Sequence, residues 1–526
     1  MESEQASLPG LRPAGCGAAD NKGEGKEGGI GPCKPRFKAV DRKQLQWRML
    51  DIERLIPEEH VARAIWDFVG GLDLSKYEEQ VRALEGKAGR SALSPQLLIS
   101  LWVYAYSQGV GSARAIARLC ACDPAYQWLT GMEGISGHTL SDFRVGYEEE
   151  LNGLFVQVLA VLSGDGLITL ERVTQDGTKI KAAAASDSFR RDDGIQDRLR
   201  AAQEQIEAIT KMTEEESSER MAKARERARR ERKERLEAAQ KELEKLRAEG
   251  SGIDKSKMRV STTDPEARVM KQPEGGFAPS YNVQLNTDAA NGVIVAVGVT
   301  QAGNDFGQLT PGVDRVEQNL GERPKQVIVD GGYVSRNNLV HMKARGVEVI
   351  GPQCDDESKG PKSYERRGVT SEYHTSQFVY DPATNSFRCP QGKTLDYEGK
   401  EERSSEVSYK YRARLADCQA CPAKKYCCPG NRSTGRSVQR REELTEVMEF
   451  RQKMATEPFR EIYRTRPQVA ETPNLWIKAK FGLRQFCVRG LRKVGMEALW
   501  AALTYNIRLW IRLRRRKQEA VASTTA

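Results

Sequence analysis

At 526 residues the chain has room for three or four domains, and its 30 % charged and 39 % hydrophobic residues describe a charge-rich, soluble protein. The longest apolar runs, 155–162 and 293–299, fall far short of the ~20 residues that span a bilayer, which excludes a membrane protein of the helical class. The formal charge of +10 is concentrated, since Trp476–Lys517 carries twelve Lys or Arg against one acid, Glu497, as expected of a surface that meets a polyanion.

Residues 1–35 are Gly-rich and polar, with no apolar signal core, and read as a disordered segment of a cytoplasmic protein. Residues 36–160 read as a helical domain. Ser94-Pro95 sets a cap and a first-turn proline ahead of Leu97, Leu98, Leu101 and Trp102, which recur at helical spacing. Ser112 and Asp123-Pro124 open two further helices, and His138–Phe143 begins another. Short helices joined by tight turns suit a helix-turn-helix DNA-binding domain, with a helical bundle of no DNA role as the alternative.

Residues 165–186 read as a strand that ends at Asp176, followed by a turn and a helix start or second strand. Residues 187–255 are rich in Glu, Lys, Arg and Ala, and predict one long charged helix or an open helical hairpin projecting from the body. In 256–354, Tyr281–Asp288 and Val293–Thr300 alternate about Asn291-Gly292 as a hairpin, Gln308–Asn319 is helical, and Gln326–Asp330 and Val347–Ile350 are strands. A meander of strands followed by a helix and more strands is the element order of an RNase H-like α/β domain. Residues 355–440 interrupt it with polar loops and clustered cysteines, 441–515 return to helix, and 516–526 read as a disordered tail. The catalytic domain is therefore expected from 165–186, 256–354 and 441–515 together.

Asp176 (TQDGTK) and Asp330 (VIVDGGY) each precede a glycine at an expected strand end, where a sharp turn exposes the carboxylate. Two such aspartates can share a hard cation such as Mg²⁺, although one Asp-Gly alone is usually turn chemistry. A third carboxylate from a late helix would complete a second metal site, and Glu471 is the candidate. Pro467 and Pro473 flank it, so it is expected to start a helical segment rather than sit inside one.

VTQDGTKIKA, STTDPEARVMK with YNVQLNTD, VIVDGGYVS, and Tyr463-x₂-Arg466-x₄-Glu471-x₆-Lys478 together resemble the bacterial insertion-sequence DDE transposases, in the branch with a Cys-rich insertion before the last acid. The similarity runs over roughly residues 36–512. It implies an RNase H-like fold, the catalytic triad Asp176, Asp330 and Glu471 on Mg²⁺ or Mn²⁺, and Arg466 and Lys478 on the DNA backbone. It also implies double-stranded DNA partners, the terminal inverted repeats and the target, with a homodimer to join two ends. Two departures stand out: TPNLW follows Glu471 where relatives tend to have Phe-Gly, and Gln175 replaces a small or apolar neighbour of the first Asp. A catalytically silent DNA-binding derivative and another RNase H-like nuclease are the rival readings.

Cys389, Cys418, Cys421 and Cys427 offer four thiolates in a loop-rich insertion, with Cys428 as a substitute for Cys427. Cys418-x₂-Cys421 has zinc-knuckle spacing, so a zinc-ribbon-like structural Zn²⁺ site and free thiols both remain open. Trp476, Phe481, Phe486 and Trp500 interleave the basic C-terminal segment and favour a nucleic-acid surface over a solvated tail. The four histidines have no ligand spacing and read as structural or exposed.

Overall fold

Helices come first along the described chain, and capping residues fix where they begin. His60 Nδ1 accepts from the Ala62 amide at the start of α1 (Val61–Gly70). Pro95 occupies the first turn of α2 (Pro95–Ser107), a helix buried almost all round, with Trp102 fully enclosed. The Ser112 hydroxyl accepts from Ala115 N at α3 (Ala113–Cys122), and Asp123 accepts from Ala125 N and Tyr126 N at α4 (Pro124–Thr130). After α5 (Gly137–Gly146) and α6 (Glu148–Gly164) the chain enters the sheet. The computed structural model describes residues 42–43, 45 and 49–525, apart from 82, 84–90, 213–218, 250–253, 353–363, 404–405, 431–432 and 442–443. The N-terminal segment expected to be disordered lies outside the described residues.

Two long strands anchor the main sheet. β1 (Arg172–Lys181) pairs antiparallel with β3 (Phe277–Asp288), whose other edge carries β2 (Arg268–Lys271) and β4 (Ile294–Thr300), both antiparallel. On the far side β1 pairs in parallel with β5 (Gln326–Ile328), and β5 with β6 (Glu348–Ile350). The hairpin expected at Asn291-Gly292 is present, with Gly292 at φ 76°. Helices α9 (Leu309–Leu320) and α10 (Arg336–Ala344) follow β4 and β5.

The last helix, α14 (Leu491–Thr525), ties the sheet to the N-terminal helices. Ile65, Trp102, Leu159, Val173, Val295, Trp500 and Leu503 belong to one continuous core. Asp264 accepts from Gly490 N and Tyr281 OH, and Glu266 from Leu491 N, so two acids occupy the positive N-terminal end of α14. Inside the helix, Asn506 donates to Ile294 O and accepts from Ile294 N. The fully buried Glu497 faces Arg144 at 3.5 Å and accepts from Cys487 N and Val488 N. Residues 516–525 continue this helix rather than forming an irregular tail.

The choice left open for the charged insertion resolves to a hairpin of α7 (Asp192–Met212) and α8 (Glu219–Glu249). Its base is closed by Ile195, Ala239, Leu243 and Val260, and Arg247 pairs with Asp192 at 2.7 Å. The Cys-rich segment is more ordered than the expected polar loops. β7 (Val379–Asp381), β8 (Ser386–Arg388), β9 (Thr394–Arg403), β10 (Glu406–Ala413) and β11 (Ser437–Arg441) form an antiparallel sheet in sequential order. Phe378, Phe387, Leu395, Tyr411 and Val438 give it a small core of its own.

Glu497→Ala should destabilise the protein by about 3–5 kcal/mol, the cost of stranding a buried charge. Arg144 loses its counter-charge and two backbone amides lose their acceptor, so a fall of several degrees in the thermal midpoint is expected; an unchanged midpoint would contradict this role.

Candidate active site

Asp176 lies in the middle of β1, opposite Leu285 of β3, and the strand continues through Lys181. The expected strand end at Asp-Gly is therefore wrong. Gly177 is extended rather than turning, and what it supplies is space: a Cβ there would come within 2.4 Å of Asp305 Oδ1. Alternation along β1 sends Gln175 and Gly177 to the α9 face and Asp176 to the other.

On that other face a late helix meets Asp176. The helical stretch after residue 441 comprises α11 (Thr445–Met454), α12 (Glu457–Arg464) and α13 (Arg466–Leu475). Arg466 donates to Asp176 Oδ1 at 2.8 Å, and Asn474 donates to Oδ2 at 2.9 Å, so both oxygens are held from α13. Residues 466, 470 and 474 recur at helical spacing, and Ala470, the small one, is buried between the two donors.

Glu471 thus sits inside a helix, not at its start. Pro467 is accommodated in the first turn, and Pro473, which cannot donate, precedes a π-helical turn at Trp476–Lys480. The Glu471 side chain is exposed, on the face next to the Arg466–Asn474 stripe.

Asp330 lies two residues beyond β5, the strand parallel to β1, in a tight turn where its Oδ1 accepts from Gly332 N at 2.7 Å. A Cβ on Gly332 would stand 2.9 Å from that oxygen. The two aspartates feel each other. Burial is the largest influence on Asp176 and pushes its carboxyl up to about 6; Arg466 opposes this, while Asp330 and Asp305 add to it. Burial also holds Lys478 below the usual lysine range, against the pull of Glu274 and Asp176. Tyr463, raised by burial, senses Arg466 and Asp330. The structure therefore gathers Asp176, Asp330, Tyr463, Arg466 and Lys478, and Glu471 is not among the charges that dominate at Asp176.

Asp305 and Asn474 were not legible as site residues. Asp305 reads as turn chemistry in QAGNDFG, and Asn474 follows from the eight-residue spacing to Arg466 only once α13 is known to be continuous.

Among the described residues, no three His, Cys, Asp or Glu side chains are drawn together as ligands of a metal ion. The donor set nonetheless suits a hard cation. Beside the carboxylates, Asn474 Oδ1 is buried without a hydrogen-bond partner among the described residues.

Elsewhere, Cys389, Cys418, Cys421, Cys427 and Cys428 line one cavity beneath the second sheet. Lys393 N donates to Cys389 Sγ and Arg436 N to Cys418 Sγ. None of the five is in a disulfide, and burial pushes Cys427 up to about 12. The expected aromatic nucleic-acid surface needs correction: Phe481, Phe486 and Trp500 are core residues, 2 %, 2 % and 1 % exposed. Trp476 is half-buried, with Lys480 at 3.7 Å and Arg512 at 5.2 Å from its ring centre, and Arg514–Lys517 are exposed.

Residues 388–510 match the family described as a transposase DDE domain, and residues 50–145 match a second described as a transposase domain. Asp176 and Asp330 lie outside both matched segments. No curated protein and no solved structure matches the chain.

Because the Asp176 pKa is raised from 3.8 to about 6, the stability this group contributes is fully present below pH 3.8 and lost as the pH rises through about 6. Asp176→Asn removes the buried charge, and Asn474 can turn its unpartnered oxygen toward the new amide. In chelator, the wild type should lose about 1–3 kcal/mol relative to the variant as the pH rises from about 4 to about 7.5. This comes on top of a pH-independent cost to the variant of leaving Arg466 without its carboxylate. A thermal-midpoint difference that is flat with pH would contradict a buried, costly carboxylate.

Proposed function

We propose, for a chain that belongs to the DDE transposases of insertion sequences, a DNA transposase that cuts its element's ends and joins them to target DNA by two-metal phosphoryl transfer. One observation carries this reading: a half-buried carboxylate in mid-strand, with a second in the turn after the adjacent parallel strand, is clasped from the helix that bears Glu471. The sheet order, three antiparallel neighbours followed by two parallel strands, supports an RNase H-like catalytic domain.

In this reading Asp176 and Asp330 supply the carboxylate oxygens and Glu471 completes the set. Glu471 lies roughly 60° around α13 from Asn474 but about 140° from Arg466, at 100° per residue. Exchanging the Arg466 contact for the Glu471 carboxylate would therefore take a turn of about 100° or a local unwinding of the helix. Mg²⁺ or Mn²⁺ bound there would activate water, and later a DNA 3′-hydroxyl, and steady the leaving oxygen. Arg466, released from Asp176, presents a planar fork to a DNA phosphate, and Lys478 a point charge. Asp330, fixed by the Gly332 amide, holds its position through the exchange.

The N-terminal helices would read the terminal inverted repeats, and the exposed Arg514–Lys517 run would add phosphate contacts. Joining two ends in one event calls for at least a homodimer. A cytoplasmic site of action fits this chemistry, and among the described residues no helix is long and apolar enough to cross a membrane. In the second sheet, Cys389, Cys418, Cys421 and Cys427 would hold a structural Zn²⁺. Their shared cavity and two N–H···S hydrogen bonds favour this over independent thiols, although the sulfurs would have to draw closer.

With Mg²⁺ or Mn²⁺ and DNA carrying the element's ends, strand cleavage should fall to background in Asp176→Ala, Asp330→Ala and Glu471→Gln, while a mobility-shift assay shows DNA binding retained. Full cleavage by any one variant would remove that residue from the set. Metal analysis of protein purified without chelator should find about one zinc per chain, lost in the double variant Cys418→Ser/Cys421→Ser; zinc-free wild-type protein would return the cysteines to free thiols.

A further inference from the structure

The motif YNVQLNTD and the unusual Gln175 have no part in the chemistry above, yet they lie together. On the α9 face of the sheet Gln175, Asn282, Gln284 and Asn286 are all at most 1 % exposed, four primary amides where an α/β sheet normally buries Val, Ile or Leu. Burying one unpaired amide costs a few kcal/mol on the hydrocarbon scale, so four need a common arrangement.

Gln284 is its hub. Its Oε1 accepts from Tyr333 OH at 2.6 Å and from Gln175 Nε2 at 3.3 Å, and its Nε2 donates to Asp305 Oδ1 at 2.7 Å and Asn282 Oδ1 at 3.2 Å. Asn282 donates to the same Asp305 oxygen at 2.8 Å, and Asn286 donates to Gln175 Oε1. Gln175 donates onward to Gln308 O at the head of α9. The space over Gly177 admits the Asp305 carboxylate to this face.

What the hub joins decides its meaning. Gln175 and Gly177 flank Asp176 in β1, and Tyr333 closes the Asp330 turn, where its own N–H donates to Asp330 O at 3.1 Å. Asp176 and Asp330 sit on separate segments, and β1 and β5 pair only over Arg172–Thr174, short of Asp176. Behind the carboxylates, the Gln175–Gln284–Tyr333 path links the two segments where that ladder has stopped.

We propose that Gln284, with Tyr333, is a positioning residue that sets the separation of Asp176 and Asp330 for a divalent cation. This rests on the metal-dependent reading of those aspartates. Gln284 touches neither the cation nor DNA; it acts through the backbone of both ligand-bearing segments, as hydrogen bonds behind metal ligands do elsewhere.

The test is Mn²⁺ affinity of the full chain by electron paramagnetic resonance, with Asp176→Asn and Asp330→Asn as references. Gln284→Met keeps the bulk and removes every hub hydrogen bond, and Tyr333→Phe removes one and leaves the ring in its pocket. Asn506→Leu is the structural control, a buried amide in α14 whose partners lie on β4. Gln284→Met should bind Mn²⁺ at least about tenfold more weakly and Tyr333→Phe several-fold more weakly. Asn506→Leu should lower the thermal midpoint with Mn²⁺ affinity unchanged. Wild-type affinity in both network variants, while Asp176→Asn and Asp330→Asn have lost theirs, would overturn the positioning role and leave the metal reading intact. Wild-type affinity in the two aspartate variants would overturn the metal reading, and the positioning role with it. Should Gln284→Met fail to fold by circular dichroism, Tyr333→Phe decides alone.

Discussion

A carboxylate in the middle of a sheet is costly unless something neutralises it, and at Asp176 that partner is the guanidinium of Arg466, 2.8 Å away and 290 residues later in sequence. Much of the architecture serves this contact. The second sheet and its cysteines lie between Asp330 and α13 along the chain, and α13 must return to β1 across that distance. Its small Ala470 and its two donors, Arg466 and Asn474, allow the close approach. The same contact explains why, among the described residues, no metal-ligand cluster forms at Asp176: with both its oxygens occupied by α13, a cation can enter only as Arg466 leaves. A buried ion pair of this kind is weak evidence for stability, and its position at a convergence of carboxylates fits a site that gives up stability for chemistry.

The helical N-terminal region is bound to the sheet through α14 rather than through its own linker. Trp500 and Leu503 share a core with Trp102 and Leu159, and Glu497 brings its charge to Arg144 on α5. The capping acids Asp264 and Glu266 fix the start of α14 against the strand that contains Tyr281. A shift of the N-terminal helices would therefore be felt in α14, whose first turns follow the π-helical turn and Lys478.

Local patterns that encode local structure were legible in the sequence. The caps at Ser112 and Asp123, the hairpin at Asn291-Gly292 and the helix after Gln308 occur where residue chemistry places them. Reading failed where a long-range partner changes what a residue does. Asp176-Gly177 has the chemistry of a turn, but β3 pairs with it residue for residue and Asp305 fills the glycine's space. Pro467 and Pro473 signal a broken helix, yet the first falls in the opening turn and the second is absorbed by a π-turn. Phe481, Phe486 and Trp500 looked like a nucleic-acid face because their neighbours are basic, whereas the core claims the rings and leaves the cations outside. Asp176, Asp330, Arg466 and Lys478, singled out in the sequence, lie within one another's electrostatic reach. The amides that brace them were not singled out, because a buried Gln or Asn carries no periodic signal.

A crystal structure of the full chain with its end DNA and Mn²⁺, using anomalous scattering to locate the metal, addresses the carboxylate site directly. Anomalous density between Asp176 and Asp330, with Glu471 turned toward it and Arg466 moved to a DNA phosphate, is the expected result. Density elsewhere, with Arg466 still on Asp176 and the DNA seated normally, would contradict the assignment of these carboxylates to catalysis.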